Sequence, residues 1–262
     1  MTDRRQRQKE QRAAKREAER KQESRKELGR RLITALVFGI IVVAIFAVGG
    51  AFGGDSTDVP ATYDDYRDQE TACGAEQPPP EQVMTFDAPE EQTDILDSGT
   101  VTATLVTSCG EIVIELNDAN APATVNSFVF LAREGFYDGQ VIHRIAPDFL
   151  FQSGDPEADG TGGPGYVSPD EFPDEDFVYE QGVVAMYSRG ARSTGSQFFV
   201  VTGSDGEFLT NQFNVLGTVT SGDDAIELIM AIPTATAPGS VEQSRPLESA
   251  YIESIDIEVA DS

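Results

Sequence analysis

Several chemically important residue types are scarce in this chain of 262 amino acids, which has no tryptophan, one histidine, two cysteines and no lysine beyond Lys26. A Ser-His-Asp hydrolase is excluded because the lone histidine, His143, is not accompanied by the Gly-x-Ser-x-Gly turn that presents such a nucleophile. A catalytic zinc usually takes three protein ligands, which one histidine and two distant cysteines do not supply. The acidic runs PEEQTD and PDEFPDED lack the spacing of a calcium loop. The sequence therefore predicts no metal site.

A glycine-rich stretch, GTGGPG at 160–165, matches the spacing of a dinucleotide-binding loop. That loop works only where a helix follows directly and points its N-terminus at a pyrophosphate. Here the chain continues as YVSPDEFPDEDF, whose prolines oppose a helix and whose carboxylates repel phosphate. We therefore predict no nucleotide cofactor.

Charge is divided very unevenly along the chain. Residues 1–31 carry 13 lysines and arginines against 6 acids, whereas the remaining 231 residues carry 6 arginines against 39 acids. Between these parts, residues 32–52 contain no charged side chain. At about 1.5 Å per residue this run spans a hydrocarbon core of about 30 Å. It also exceeds the 7–15 residues of a signal-peptide core, although the small residues that follow leave cleavage open.

We therefore predict a basic cytoplasmic segment at 1–31, a transmembrane helix at 32–52 and an extracytoplasmic remainder, since positive residues stay in the cytoplasm. The basic segment is expected to be a solvated juxtamembrane stretch. Binding to anionic lipid is the alternative, and no nucleic-acid partner is predicted. Residues 53–99 are rich in glycine, proline and acids without any period, which predicts a flexible linker.

The part of the chain from residue 100 is predicted to be one mainly β domain, 100–262. Two alternating runs flank an SCGE turn, and APATVNSFVFLAREGF has the apolar period of a helix that Gly135 ends. A second helix is predicted at 223–230. Further strands are predicted at 140–145, 149–152, 183–187, 197–202, 214–219 and 247–259. This pattern favours a closed or nearly closed antiparallel β-barrel capped by two helices.

The two cysteines, Cys73 and Cys109, both follow the predicted membrane helix, in a compartment where disulfides persist. Only one pairing is possible, and it would tie the linker to the first hairpin. Two free, buried thiols are the alternative.

Four motifs in order, VIHRIAPDFLFQSGDP, GTGGPGY, GVVAMYSRGARSTGSQFFV and FLTNQFNVLGTV, resemble the cyclophilin peptidyl-prolyl isomerases over about 101–259. With the apolar run, the chain is similar to the membrane-anchored cyclophilins of actinobacteria. The resemblance implies a closed eight-stranded antiparallel β-barrel capped by two α-helices. It also implies isomerisation of Xaa-Pro bonds without cofactor or metal, proline-containing polypeptides as partners, and a monomer.

The resemblance implies a role for each matching residue. Arg144 would donate a hydrogen bond to the prolyl nitrogen, which gains lone-pair character as the bond twists. Gln152 would orient Arg144 and contact the substrate, and His143 would only support the site. The residues implied to bind substrate are Phe149, Leu150, Ser188, Gln197, Phe199, Phe208, Leu209 and Phe213.

Three positions depart from the usual family pattern. Phe208 stands in place of tryptophan and Phe213 in place of histidine, which keeps the rim aromatic and removes a polar group from each position. Tyr187 stands in place of alanine, and with the following SRGARST run it is expected to narrow the neighbouring substrate pocket.

The leading hypothesis is a membrane-anchored, extracytoplasmic isomerase that assists the folding of exported or cell-surface proteins. A non-catalytic chaperone or scaffold that binds proline segments is the first alternative, although such a protein could dispense with Arg144 and Gln152. An acidic, salt-adapted cell-surface domain is the second.

Overall fold

The computed structural model describes residues 59–96, 100–117 and 119–260. The predicted basic segment at 1–31 and the predicted transmembrane helix at 32–52 lie outside these ranges. Within them, no helix is both long and apolar enough to cross a bilayer.

Eight strands form one antiparallel sheet in the order β10-β1-β2-β7-β5-β6-β4-β3, and two short strands, β8 and β9, form a separate hairpin. The strands are β1 Thr100–Thr107, β2 Gly110–Leu116, β3 Arg144–Ala146, β4 Leu150–Ser153, β5 Val183–Met186, β6 Phe198–Val201, β7 Val215–Ser221, β8 Thr234–Thr236, β9 Gln243–Pro246 and β10 Ile252–Ala260. Each of the eight predicted strands overlaps a strand of this sheet, although β3 begins four residues later than the strand predicted at 140–145 and β10 begins five residues later than the strand predicted at 247–259. The β8–β9 hairpin was not predicted.

The curled sheet is not fully closed, which corrects the prediction of a closed barrel. In the described chain, no ladder joins its two edge strands, β3 and β10, and only an isolated bridge between Val141 and Tyr251 links the two edges. Around that bridge the amide of Ile142 donates to the carbonyl of Ala250 at 2.8 Å, and the amide of Ile252 donates to the carbonyl of Gln140 at 2.9 Å. The bridge and its hydrogen bonds involve residues 140–142, which precede β3, and β3 itself does not continue the pairing.

Two of the four described α-helices lie where the apolar period predicts them, and the other two are short helices within the predicted linker. The described α-helices are α1 Tyr63–Arg67, α2 Thr93–Leu96, α3 Pro122–Arg133 and α4 Asp223–Met230. Helix α3 begins at a proline, which needs no amide partner in the first turn, and the Glu171 carboxylate accepts the next two amides, from Ala123 at 3.0 Å and Thr124 at 2.7 Å. The two predicted helices are therefore confirmed as α3 and α4.

Strands β4, β5 and β6 are buried along their whole length because both of their faces are covered. Successive side chains of a strand point to opposite faces. On β5 and β6, Val184, Met186 and Val200 join the main core, whereas Ala185 and Phe199 join a second, smaller apolar cluster. This second cluster is the part of the fold that carries the candidate site.

Residues 59–96 differ from the predicted flexible linker, since they pack against the domain. Tyr63 and Tyr66 are buried, and their hydroxyls donate to the carbonyls of Gly139 and His143, each at 2.8 Å. A disulfide joins Cys73 to Cys109 at the turn between β1 and β2, which confirms the predicted bridge. Two anchoring tyrosines and one covalent bond thus hold a segment whose composition alone is typical of a linker.

Candidate active site

Arg144 and Gln152 lie side by side because β3 pairs with β4 in antiparallel register, which places these two residues opposite each other. The next strand continues the row, since Gln152 pairs with Phe199 of β6. Cross-strand partners point to the same face. The Arg144 Nη1 atom donates to Gln152 Oε1 at 3.1 Å. The structure therefore brings together the two side chains that the sequence predicts to be catalytic.

Gln152 is itself held by a second amide. Its Nε2 donates to Gln197 Oε1 at 2.8 Å, and Gln197 Nε2 donates to the carbonyl of Gly162 at 3.0 Å. Both glutamines are almost fully buried. Because a buried amide is costly to leave unpaired, this chain fixes the orientation of the carbonyl oxygen that Gln152 presents to Arg144.

An apolar wall adjoins this polar row. Five of the predicted substrate-binding side chains belong to the second apolar cluster, namely Phe149, Leu150, Phe199, Leu209 and Phe213. The Phe199 and Phe213 rings meet edge to face at 5.3 Å between centroids, and the guanidinium carbon of Arg144 lies 5.7 Å from the centre of the Phe149 ring. An aromatic, apolar surface beside an arginine can hold a proline ring next to a hydrogen-bond donor.

Two tyrosines complete the wall, and only Tyr187 was predicted. Tyr187 stacks on Phe213 with the ring planes 18° apart. Tyr179, for which no motif gave a signal, is buried behind Phe199 and Phe213, and its hydroxyl donates to the carbonyl of Phe213 at 2.7 Å. Burial raises the pKa of Tyr179 to about 12, so this hydroxyl stays protonated. Tyr179 thereby fixes the backbone of Phe213.

Two predicted contact residues occupy different surroundings. Ser188 is buried and its Oγ donates to the carbonyl of Gln212 at 3.1 Å, which ties the chain after β5 to the loop that carries Phe213. Phe208 is 82% exposed and does not belong to the apolar cluster. It ends the short 3-10 helix Ser204–Phe208, whose following residue, Leu209, turns toward the wall.

His143 is buried, and neither of its ring nitrogens has a hydrogen-bond partner within the described residues. Burial, followed by the positive charges of Arg245 and Arg144, lowers the pKa of His143 to about 3. The imidazole is therefore neutral at physiological pH. These surroundings agree with the packing role predicted for His143.

Glu242 contacts Arg144, and no sequence pattern indicated it. This residue directly precedes β9, and β9 lies against β3. Its carboxylate accepts from Arg144 Nε at 2.9 Å and from Arg144 Nη2 at 2.6 Å. Burial alone would raise the pKa of Glu242, but the hydrogen bonds and charge of Arg144 outweigh it and hold that pKa below its usual value. The pair is therefore ionised at neutral pH.

A cavity of about 420 Å³ opens beside Gln197. Its lining includes residues 161–165 of the glycine-rich loop, together with Tyr187, Arg189 and Arg192. As the prolines of the sequence predict, no helix directly follows this loop. Tyr187 stands between this cavity and the apolar wall, where the sequence predicted a narrower pocket.

Three carboxylates, those of Asp155, Glu157 and Asp159, lie within 4.8 Å of one another near the same loop. The buried Asp155 carboxylate accepts the amides of Glu157 at 3.0 Å, Gly160 at 2.6 Å and Gly162 at 3.0 Å. A side chain at Gly162 would overlap Asp155, since a Cβ there would lie 2.2 Å from Oδ1. These hydrogen bonds show that the Asp155 carboxylate fixes the backbone of this loop.

Comparison with known proteins gives a consistent result. The family model "Cyclophilin type peptidyl-prolyl cis-trans isomerase/CLD" matches residues 102–257. Peptidyl-prolyl cis-trans isomerase B of Streptomyces anulatus is 39% identical over 171 residues, which cover 60% of this chain and 95% of that protein. The probable peptidyl-prolyl cis-trans isomerase B of Mycobacterium tuberculosis is 34% identical over 173 residues, which cover 61% of this chain and 55% of that protein.

Solved structures share the fold. The crystal structure of a cyclophilin-type peptidyl-prolyl cis-trans isomerase of Cryptosporidium parvum has a TM-score of 0.54 and 24% sequence identity, and the match covers 61% of this chain and 98% of that one. A second structure of that protein, in the presence of the dipeptide Ala-Pro, has a TM-score of 0.53. At this identity the likeness concerns the fold.

Proposed function

Because this chain belongs to the cyclophilin-type peptidyl-prolyl cis-trans isomerase family, we propose that its reaction centre is Arg144, held by Gln152 beside the apolar wall. The isomerase activity follows from the family and the relatives. The role of Arg144 is our proposal. It is supported by the hydrogen bond between Arg144 and Gln152 and by the aromatic surface 5.7 Å from the guanidinium carbon.

The reaction demands little of the protein. The peptide bond before proline isomerises slowly because its partial double bond resists rotation. Raising a rate of about 10⁻² s⁻¹ to about 10 s⁻¹ requires only ~4 kcal/mol of transition-state stabilisation. No proton is transferred and no covalent intermediate forms, so the neutral, buried His143 is not needed as a base.

The physical basis of this stabilisation is differential binding. At the twisted transition state the prolyl nitrogen loses conjugation and its lone pair becomes a hydrogen-bond acceptor, which neither planar isomer offers. An arginine is always charged and holds its donors in a fixed plane. A hydrogen bond from a charged donor contributes about 1.5–3 kcal/mol, and the apolar wall supplies the water-poor surroundings that strengthen it.

We propose that proline-containing segments of exported or cell-surface polypeptides are the substrates, and that residues 32–52 anchor the protein in a membrane as in the actinobacterial cyclophilins that the sequence resembles. Proline binding is supported by the relative from Cryptosporidium parvum, which was crystallised in the presence of Ala-Pro. The anchor is supported by the uncharged run between a basic and an acidic part of the chain.

The direct test replaces the arginine. In a prolyl cis/trans exchange assay of the full-length chain, Arg144→Ala should lower kcat/KM by about 10- to 150-fold, the equivalent of one charged hydrogen bond. Arg133→Ala is the matched control, because Arg133 lies on α3 and pairs with Asp94 at 2.6 Å. Wild-type turnover no faster than the uncatalysed reaction, with retained binding of proline peptides, would favour the non-catalytic chaperone or scaffold.

A further inference from the structure

We propose that Glu242 is a positioning residue of the isomerase site, which holds the Arg144 guanidinium in the orientation that its substrate hydrogen bond requires. This inference rests on the proposed role of Arg144. It adds to the site an acid that reaches it from the β8–β9 hairpin, 98 residues further along the chain.

The contacts account for most of the donors of the arginine. A guanidinium has five N–H groups. Glu242 accepts one from Nε and one from Nη2, and Gln152 accepts one from Nη1. One N–H therefore remains on each terminal nitrogen. A planar guanidinium that is hydrogen-bonded on two sides cannot rotate about the bonds of its side chain. Its two remaining N–H groups therefore keep a fixed direction.

Pairing with an acid is compatible with the proposed chemistry. The guanidinium stays charged in the ion pair, so its two remaining N–H groups are still charge-assisted donors to the prolyl nitrogen of the twisted bond. An arginine side chain that is 26% exposed and unpaired would sample several rotamers in water. If the donor is held in place before the substrate binds, the cost of selecting one Arg144 rotamer does not add to the activation barrier of isomerisation.

The hairpin that carries Glu242 is also held. The amide of Glu242 donates to Ser240 Oγ at 3.0 Å, and Ser240 Oγ donates to the carbonyl of Glu242 at 3.3 Å. On β9, Arg245 Nη1 donates to the hydroxyl of Tyr66 at 3.2 Å and to the carbonyl of Ala158 at 3.1 Å. The carboxylate is therefore presented by a fixed backbone rather than by a free loop.

The experiment compares Glu242→Gln with Glu242→Asp in a prolyl exchange assay of the full-length chain. The glutamine keeps the shape and loses one acceptor and the charge, so kcat should fall about tenfold while KM changes less than about twofold. The aspartate keeps the charge and should recover part of kcat. The Arg144 Nε–H resonance should be sharp and slowly exchanging in the wild type and should broaden in Glu242→Gln.

The control is Glu258→Gln, which removes the same charge from an exposed position of β10. It should leave kcat and the Arg144 resonance unchanged. An unchanged or increased kcat in Glu242→Gln would overturn the proposal while leaving the role of Arg144 intact. An inactive wild type, or an Arg144→Ala variant as active as the wild type, would instead contradict the proposed function itself.

Discussion

At the scale of single residues, the site consists of a row of polar side chains beside an aromatic wall. Arg144, Gln152 and Phe199 could be predicted because a continuous motif carries each of them, and strand register then places them on one face. Glu242 and Tyr179 could not be predicted. Each reaches the site from a distant part of the chain, and a lone glutamate or tyrosine without a local pattern carries no signal of its partner.

At the scale of residues, the buried His143 predicts how the stability of the folded protein depends on pH. Its pKa is about 3 in the folded protein and about 6.5 in an unfolded chain. Below pH 6.5 the unfolded chain therefore binds a proton that the folded protein does not, and stability falls as the pH falls, by up to about 1.4 kcal/mol per pH unit. Above pH 6.5 this contribution is constant.

The test compares urea unfolding of the wild type and His143→Gln between pH 7.5 and 4.5. The free energy of unfolding of the wild type should fall relative to that of the variant as the pH drops. Carboxylates titrate in both proteins, and His143 is the only histidine, so the difference isolates its contribution. A difference that stays constant across this range would contradict a neutral, buried His143.

At the scale of elements, the helices α3 and α4 and the eight sheet strands follow from period and turn signals. The β8–β9 hairpin was not predicted because its strands, TAT and QSRP, lack the apolar runs that mark β4, β5 and β6. Residues 59–96 have the composition of a linker, yet buried tyrosines and a disulfide fix them. Composition describes average behaviour, and a few tertiary anchors outweigh it.

At the scale of elements, the disulfide predicts how much stability the protein loses when the two cysteines are replaced. Cys73 and Cys109 are separated by 36 residues, and closing a loop of that length lowers the entropy of the unfolded chain by an amount worth about 3–4 kcal/mol. The free energy of unfolding of the double variant Cys73→Ala/Cys109→Ala should be lower by that amount, which is measured as a lower midpoint in urea, with isomerase activity retained under native conditions. Equal stability of the two proteins would show that the bridge does not constrain the segment.

At the scale of the whole molecule, the chain has a basic beginning, an uncharged run and an acidic remainder that contains the enzyme domain. The family and its fold follow from four ordered motifs, so the domain was the most predictable part. Placement in a membrane depends on residues 1–52, which lie outside the described ranges, and it stays a proposal based on charge and hydropathy.

A topology experiment addresses that proposal. Alkaline phosphatase, which is active only outside the cytoplasm, is fused to the C-terminus of the full-length chain in a bacterial host. We expect an active fusion that stays with the membrane fraction after washing with carbonate. Removing the positive charges of residues 1–31 should lower the active fraction, since these charges orient the run at 32–52. An active fusion released into the soluble fraction would indicate cleavage.

The central claim is that Arg144 stabilises the twisted transition state rather than either planar isomer. The most direct measurement is NMR line-shape analysis of an Xaa-Pro peptide with the wild type and Arg144→Ala, which yields both the affinities for the cis and trans forms and the exchange rate on the enzyme. The account predicts nearly unchanged affinities and an exchange rate lowered at least tenfold. Loss of affinity for both isomers with an unchanged exchange rate would contradict it, because Arg144 would then contribute only to binding.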